Sequence, residues 1–397
     1  MEHPSPAAHA QPQEFLHPQG FLSVAKNVGI KDATLDLTVI YSTTRARGAA
    51  MFTHSRFPGA PVIVGRQHIA DGFAQALVVN SKNANVALGQ QGIDDALAMC
   101  RMVASELGID HRDVLPFSTG VIGRRLPMDK IGAGLRGIRA ELRPNNLELA
   151  ARAIMTTDRY PKYVSRRVGG AIIAGIAKGA AMLEPNMATM LAYLMTDADL
   201  PASALRPLLR RVVERTFNAI SVDTDTSTSD TVVLMANGLA GRVNRRDFED
   251  GLLQVCQHLA KEIVRNAEGA TKVITVEVAG AHTDRQAKRV GKSVVNSPLL
   301  KTAVHGGDPN WGRVAMAVGK CFDDHDIEPG RLTIRFGDVT VFERGSPVDC
   351  DLEALRRYLA ASEVLIGVDL GIGDAFARVW GSDLTEDYVN ANAYYTT

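Results

Sequence analysis

Residues Gly175–Met190 read GIAKGAAMLEPNMATM, and the rest of the chain is best read outward from this stretch. A glycine-bearing apolar run ends on Lys178 and Gly179. A Pro-Asn turn follows, and a second apolar run starts at Thr189. Taken bare, the Ala188-Thr189 pair is unremarkable, and a threonine is usually structural. Its setting changes the reading. Small and unbranched neighbours, glycines and a Pro-Asn turn let a hydroxyl approach its own preceding carbonyl.

Periodic segments flank this stretch on both sides. Asp94–Leu107 places Leu97, Cys100, Val103 or Ala104, and Leu107 on one helical face. Asp247–Val264 does the same with Phe248, Leu252, Val255, Leu259 and Ile263. Asn146–Met155 and Ala202–Phe217 also read as helices. Alternating or β-branched runs predict strands at Ala60–Val64, Ala76–Asn80, Val273–Gly280, Leu332–Phe336, Val339–Glu343 and Val364–Leu370. The mixture gives an α/β or α+β class. Residues 1–19, with four prolines, read as a disordered lead-in. Residues 20–280 read as the main body and 281–397 as a smaller lobe.

Composition removes several functional classes. The chain has 397 residues, with 44 basic residues balanced by 44 acidic ones and only 6% aromatics. That argues against a nucleic-acid partner or an anionic membrane surface. No apolar stretch is long enough for a membrane span, since Lys178 and Glu184 interrupt the best candidate. The N-terminus lacks the basic start and apolar region of a signal peptide, so the expected location is the cytoplasm. The four cysteines are too dispersed for a zinc clip or a redox pair, and no HExxH pattern occurs, so no metal is expected. Gly291-Lys292-Ser293 lacks the earlier glycine of a phosphate loop. Gly371 and Gly373 sit between two strand-like runs and read as a hairpin. The run Asp223–Asp230, DTDTSTSD, is better read as a turn whose side chains bond backbone N–H groups than as a cation loop.

Seven separated motifs carry a resemblance. They are STGVIG (118–123), AIMTTD (153–158), the KG…NMATM stretch ending at Met190, SVDTDTST (221–228), EGATK (268–272), KTAVHGGDPNWGR (301–313) and the terminal NAYYTT (392–397). In this order they resemble the ornithine acetyltransferases, also called glutamate N-acetyltransferases, over nearly the whole chain after the lead-in.

The resemblance implies an αββα-like N-terminal-nucleophile core with a smaller C-terminal α/β lobe. It also implies self-cleavage between Ala188 and Thr189, giving an α chain 1–188 and a β chain 189–397. Thr189 would then be the nucleophile, with its own freed α-amine as base. An α-amine has a reference pKa of about 7.7–8.0, well placed for that role. The family's oxyanion hole maps onto the Thr119 hydroxyl and the Gly120 N–H. Substrate contacts map onto Thr156, Lys178, Thr189, Glu268, Asn392 and Thr397. Lys178 and Glu268 offer opposite charges to a zwitterionic amino acid.

The implied reaction moves acetyl from N2-acetylornithine to glutamate by a ping-pong route with no cofactor, and leaves acetyl-CoA open as a second donor. An α2β2 assembly is implied. His305 and Trp311 read as structural residues. Ala180-Ala181, Thr224, Ser229 and Asn390-Ala391 depart from the common family pattern toward a branch found in antibiotic gene clusters, which leaves the acyl acceptor open. Two other readings stand beside this one: an amidohydrolase or aminopeptidase with the same nucleophile, and an uncleaved binding protein.

Overall fold

The computed structural model describes residues 14–184 and 190–394. The first sheet takes β1 (Phe21–Lys26), β2 (Leu37–Phe52), β3 (Phe73–Asn80), β4 (Val114–Ser118) and the two-residue β5 (Arg143–Pro144). It continues through β6 (Lys162–Val168), β7 (Ala171–Lys178) and β8 (Leu191–Asp199). The short β9 (Ile220–Ser221) leaves for a second sheet, and β10 (Thr231–Arg242) returns to the first. The strand order is β4-β3-β2-β10-β8-β7-β6, with β1 on β2 and β5 on β1.

Distances show that this sheet folds over itself. β4 and β8 are four strand steps apart, which is about 19 Å across a flat sheet. Yet the rings of Phe117 on β4 and Tyr193 on β8 lie 5.0 Å apart, centroid to centroid. The turn-over lies in β2, whose sixteen residues serve three partners, β1 along Leu37–Ser42 among them. Leu37–Tyr41 pairs with β3, Arg47–Phe52 pairs with β10, and the register with β3 shifts between Tyr41 and Ala46. Two leaves result. Ile40, Leu77, Leu115 and Phe117 of one meet Ala174, Ile176, Tyr193 and Val233 of the other in a shared inner core.

The alternate side chains of each leaf point outward and are covered by helices, as the two-residue period of a strand requires. Val39, Ala76, Val78 and Val114 lie under α1 (Ala60–His68), α2 (Gly89–Leu107), α3 (Met128–Leu135) and the one-turn α4 (Ile138–Glu141). α5 (Leu147–Ala153) packs into the inner core through Leu147, Ala150 and Ala151. On the other leaf, Ile173, Leu194, Val232 and Leu234 lie under α6 (Ala202–Glu214) and α7 (Arg245–Arg265). All five apolar residues expected on one face of α7 are buried there, each contributing roughly 1.5–3 kcal/mol. The layering is helix, sheet, sheet, helix, as expected.

The second sheet runs β14-β13-β12-β15-β11-β16-β9. Its further strands are β11 (Val273–Ala281), β12 (Thr333–Phe336), β13 (Val339–Glu343), β14 (Ser346–Pro347), β15 (Glu363–Asp369) and β16 (Ala375–Ser382). One face packs on α8 (Asp284–Val295), α9 (Pro298–Gly306), α10 (Trp311–Gly319) and α11 (Leu352–Leu359). The other face carries polar groups such as the Glu277–Arg378 ion pair. Val273 and Trp380 of this sheet also enter the core beneath α7, so the two lobes share apolar contacts.

Three expectations need correction. Ala60–Val64 is the start of α1 and not a strand. Pro61 sits in the first helical turn, where a missing N–H costs nothing, and this outweighs the β-branched valines and isoleucine. The Gly371–Gly373 turn is not a hairpin, because β11 lies between β15 and β16. The turn passes over the end of β11, where the N–H groups of Ile372 and Gly373 both donate to Gly280 O at 2.8 Å. Residues 14–19 of the lead-in are ordered against the first sheet: Phe15 meets the Tyr163 ring edge-on, and Gln19 N donates to Asp197.

Candidate active site

The site forms where β4 and β7 end and β8 begins. β4 stops at Ser118, whose hydroxyl donates to Asn80 Oδ1 at 2.6 Å, and Thr119 N donates to Asn80 O at 3.1 Å. The next residue, Gly120, has φ +132°, and a Cβ there would lie 2.2 Å from the Lys82 carbonyl carbon. Only glycine lets the 119–121 loop lie this close to residues 82–83.

Lys178 closes β7 with its side chain buried, and its Nζ donates to Thr119 Oγ1 at 3.3 Å. A hydroxyl has one donor and two acceptor positions. The lysine occupies one acceptor position, so the O–H proton of Thr119 remains available to the cleft. Lys178 also pairs with Leu191 at the start of β8. The chain entering β8 therefore arrives beside the Lys178–Thr119 contact.

Beneath these groups lies Asp158, which is fully buried. Its carboxylate accepts from Thr156 N (3.0 Å), Gly179 N (2.8 Å) and Lys162 Nζ (2.5 Å). It ties the Thr156 turn to the end of β7. Burial alone would raise this carboxyl, but Lys162, Lys178 and the Gly179 N–H together hold it well below the usual carboxylate range. Asp230, just before β10, shows the opposite outcome. It is equally buried, and burial outweighs Lys178 and its hydrogen bonds, so its carboxyl is raised well above that range.

The other wall comes from later in the chain. Glu268 N donates to Ala180 O at 2.9 Å, which hangs the glutamate beside the end of β7. Its carboxylate accepts from Asn392 Nδ2 at 3.0 Å. Asn392 lies on α12 (Glu386–Ala393), which folds back over the cleft. The helix is seated by its cap, Thr385, whose hydroxyl donates to Gly269 O at 2.8 Å. Gly269, at φ +67°, lies so close that a Cβ would meet Tyr388 N at 2.2 Å.

Six expected residues, Thr119, Gly120, Thr156, Lys178, Glu268 and Asn392, line one cleft of about 230 Å³. Ala188, Thr189 and Thr397 lie outside the described residues. The acid run follows the turn reading: the Asp223 carboxylate accepts from the N–H groups of Met182 (2.7 Å), Leu183 (2.6 Å) and Asp225 (3.2 Å). His305 Nδ1 lies 3.0 Å from Asp383, and Trp311 stacks on Phe342 at 4.9 Å; neither lines the cleft.

Several contributors escaped the sequence reading. Lys31, Asp32, Lys82 and Tyr388 also line the cleft. Burial, with Asp223, Asp225 and Glu268 nearby, pushes the Tyr388 phenol up to about 12. Asp158 lies inside the AIMTTD motif, but the motif alone assigns it no role. The cleft thus carries Lys31, Lys82 and Lys178, with Asp32 4.0 Å from Lys82, together with Asp223, Asp225 and Glu268, so it offers charges of both signs to a zwitterion. Among the described residues no group of three or more His, Cys, Asp or Glu is placed to hold a metal ion, and no helix is long and apolar enough to cross a membrane.

Two stacked leaves between helical layers, with a hydroxyl, a glycine turn and a lysine meeting in one cleft at the strand ends, define a layered αββα enzyme architecture. The chain belongs to the ArgJ family, whose model matches residues 23–397. The glutamate N-acetyltransferase Oat2 of Streptomyces clavuligerus is 51% identical over 385 residues, covering 96% of this chain and 98% of that protein. The arginine biosynthesis bifunctional protein ArgJ 2 of Nostoc sp. is 49% identical over 380 residues, with the same two shares. A crystal structure of the arginine biosynthesis bifunctional protein ArgJ of Bacillus halodurans aligns with 51% of this chain and 98% of its own, at 40% identity and a TM-score of 0.49.

Proposed function

We propose that this ArgJ-family enzyme, a glutamate N-acetyltransferase of arginine biosynthesis, first cuts its own chain between Ala188 and Thr189. It then carries acetyl on the Thr189 hydroxyl. The observation that supports this most is the convergence of Lys178, Thr119 and Gly120 where β8 begins. Leu191 pairs with Lys178, and Thr189 is only two residues, at most about 7 Å of chain, before it.

In the cleavage step the Thr189 hydroxyl attacks the Ala188 carbonyl and the peptide nitrogen leaves as an amine. Water then releases the ester. The freed amine serves the hydroxyl of the same residue as general base, the arrangement a weak nucleophile needs. In transfer, Thr189 Oγ attacks the acetyl carbonyl of N2-acetylornithine. The oxyanion is met by the Thr119 hydroxyl and the Gly120 N–H. The nitrogen of ornithine takes a proton and departs, and the amine of glutamate attacks the acetyl-threonine. Lys178 and Thr156 face the substrate's carboxylate end. Glu268, with Asn392, faces its ammonium end, and Thr397 is assigned to the same pocket. The chemistry needs no cofactor, and acetyl-CoA is a second donor to be tested. A cytoplasmic α2β2 assembly completes the proposal.

Intact mass and an acetyl-transfer assay test it together. Wild type should give fragments 1–188 and 189–397, and Thr189→Ala one inactive chain of full length. Incubation with N2-acetylornithine should yield N-acetylglutamate only when glutamate is present. Acetate release at the same rate without glutamate would instead identify a hydrolase.

A further inference from the structure

Glu184 lies four residues before Ala188 and takes no part in the chemistry above, yet it is held unusually firmly. Its Oε2 accepts from Asn296 Nδ2 at 2.6 Å and from Ser221 Oγ at 3.0 Å. Its Oε1 lies 3.8 Å from Lys292 Nζ. Its own N–H donates to Asp225 O at 2.8 Å. The residues just before it are held too, with Leu183 O accepting from Val222 N at 2.6 Å and two N–H groups bound to Asp223.

The partners themselves are braced from the second lobe. Lys292 on α8 donates to Ile220 O, and Lys301 on α9 donates to Val222 O. Burial pushes both ammonium groups down to about 8, against the pull of Glu184 and other acids. Keeping two such lysines on one three-residue strip of backbone is costly. An ordinary surface turn needs nothing of the kind.

Two facts give the cluster a direction. Among the described residues, every partner of Glu184, from Ser221 to Asn296, lies after position 189 and so on the downstream chain once the bond is cut. Only five residues, 185–189, separate Glu184 from Met190, whose carbonyl is fixed by Thr231 N at 2.9 Å. We propose that Glu184 is a positioning residue for self-cleavage. Its clamp on Ser221, Lys292 and Asn296 fixes the upstream end of the scissile segment, while β8 fixes the downstream end. Attack of a hydroxyl on a neighbouring carbonyl needs the reacting atoms within about 3–3.5 Å, and a shift near 1 Å can cost about a hundredfold in rate. Because the partners lie beyond the cut, the clamp also persists afterwards and keeps the α-chain end attached to the β chain.

This proposal rests on the self-cleavage reading, and a time course of fragment formation after cell-free synthesis tests them separately. Glu184→Ala should slow fragment appearance at least about tenfold. Glu184→Gln keeps an acceptor for Ser221 and Asn296 and should restore most of the rate. In the uncleavable Thr189→Ala background, Glu184→Ala should lower Tm by less than about 2 °C. Once processed, the variant should transfer acetyl at the wild-type rate per cleaved site. Cleavage of Glu184→Ala at the wild-type rate overturns the clamp alone, as does slowing matched by a large fall in Tm. Should Glu184→Ala fail to fold, Asn296→Leu replaces it, with slowing of about threefold expected and a wild-type rate again overturning the clamp. A wild-type chain that stays whole overturns the self-cleavage reading, and the clamp with it.

Discussion

The two walls of the cleft are built differently. The wall that precedes position 185 rests on buried charge. Asp158 and Lys162 are fully enclosed, and they hold the turns that present Thr156 and Lys178. The wall that follows is carried by α12, a helix with no buried residue, and by an exposed Glu268–Asn392 hydrogen bond. The comparison teaches a division of labour. On the proposed mechanism, the groups assigned to the developing charge are fixed by an interior network, whereas those assigned to the substrate's far end stay near solvent.

The sharpest way to break this contrast is Asp158→Asn. It strands the Lys162 ammonium in the interior, and breaking a buried pair costs about 3–5 kcal/mol. Urea unfolding in the Thr189→Ala background should show that loss, with self-cleavage lost in the otherwise wild-type chain. The pH dependence has a definite sign. A carboxyl held below its ordinary pKa stabilises the fold above that value, near 3.9 for aspartate. The difference between wild type and Asp158→Asn should therefore be flat from neutral pH down to about pH 5. It should fade only in stronger acid, as Asp158 is protonated through its lowered folded pKa.

Next in size is Thr119→Val, which keeps the shape and removes the hydroxyl. Loss of one oxyanion donor costs about 2.7–4 kcal/mol of transition-state stabilisation. A fall in kcat of about 10²–10³ is expected, with little change in KM. On the opposite wall, Glu268→Gln should behave differently. It should raise the KM for N2-acetylornithine roughly tenfold, or about 1.4 kcal/mol, while Tm and kcat change little. Should Glu268→Gln instead lower kcat and leave KM alone, the division between the walls fails.

The smallest effect is expected at Thr224, a β-branched residue held at φ +69° between the two cleft acids. Such a conformation costs a threonine about 1–2 kcal/mol relative to glycine. Thr224→Gly should therefore stabilise the chain, less about 0.4–1 kcal/mol for added unfolded-state freedom, giving a net rise of about 0.5–1 kcal/mol in thermal unfolding.

Much of this was legible in the sequence where local pattern and tertiary need agree. The five-residue apolar stripe of α7 is an example, as are the separated motifs whose members meet in the cleft. What escaped depends on long-range closure. No local signal reveals that Phe117 and Tyr193, 76 positions apart, touch across a folded-over sheet. Nor does periodicity reveal that β11 inserts between β15 and β16. Asp158 was visible as a letter in a motif, but its task is defined by Gly179 and Lys162, which only the fold brings to it. Lys82 and Tyr388 carry no pattern at all: Lys82 reaches the cleft on the loop packed against Gly120, and Tyr388 on α12 where the helix packs against Gly269.

β2 is the single strand common to both leaves, and this has a consequence for cooperativity. Neither leaf has a hydrogen-bonded edge along which it can detach without taking β2 from the other. Heat or denaturant should thus melt the sandwich as one thermodynamic unit, and a nick placed between Tyr41 and Ala46 should unravel both leaves at once.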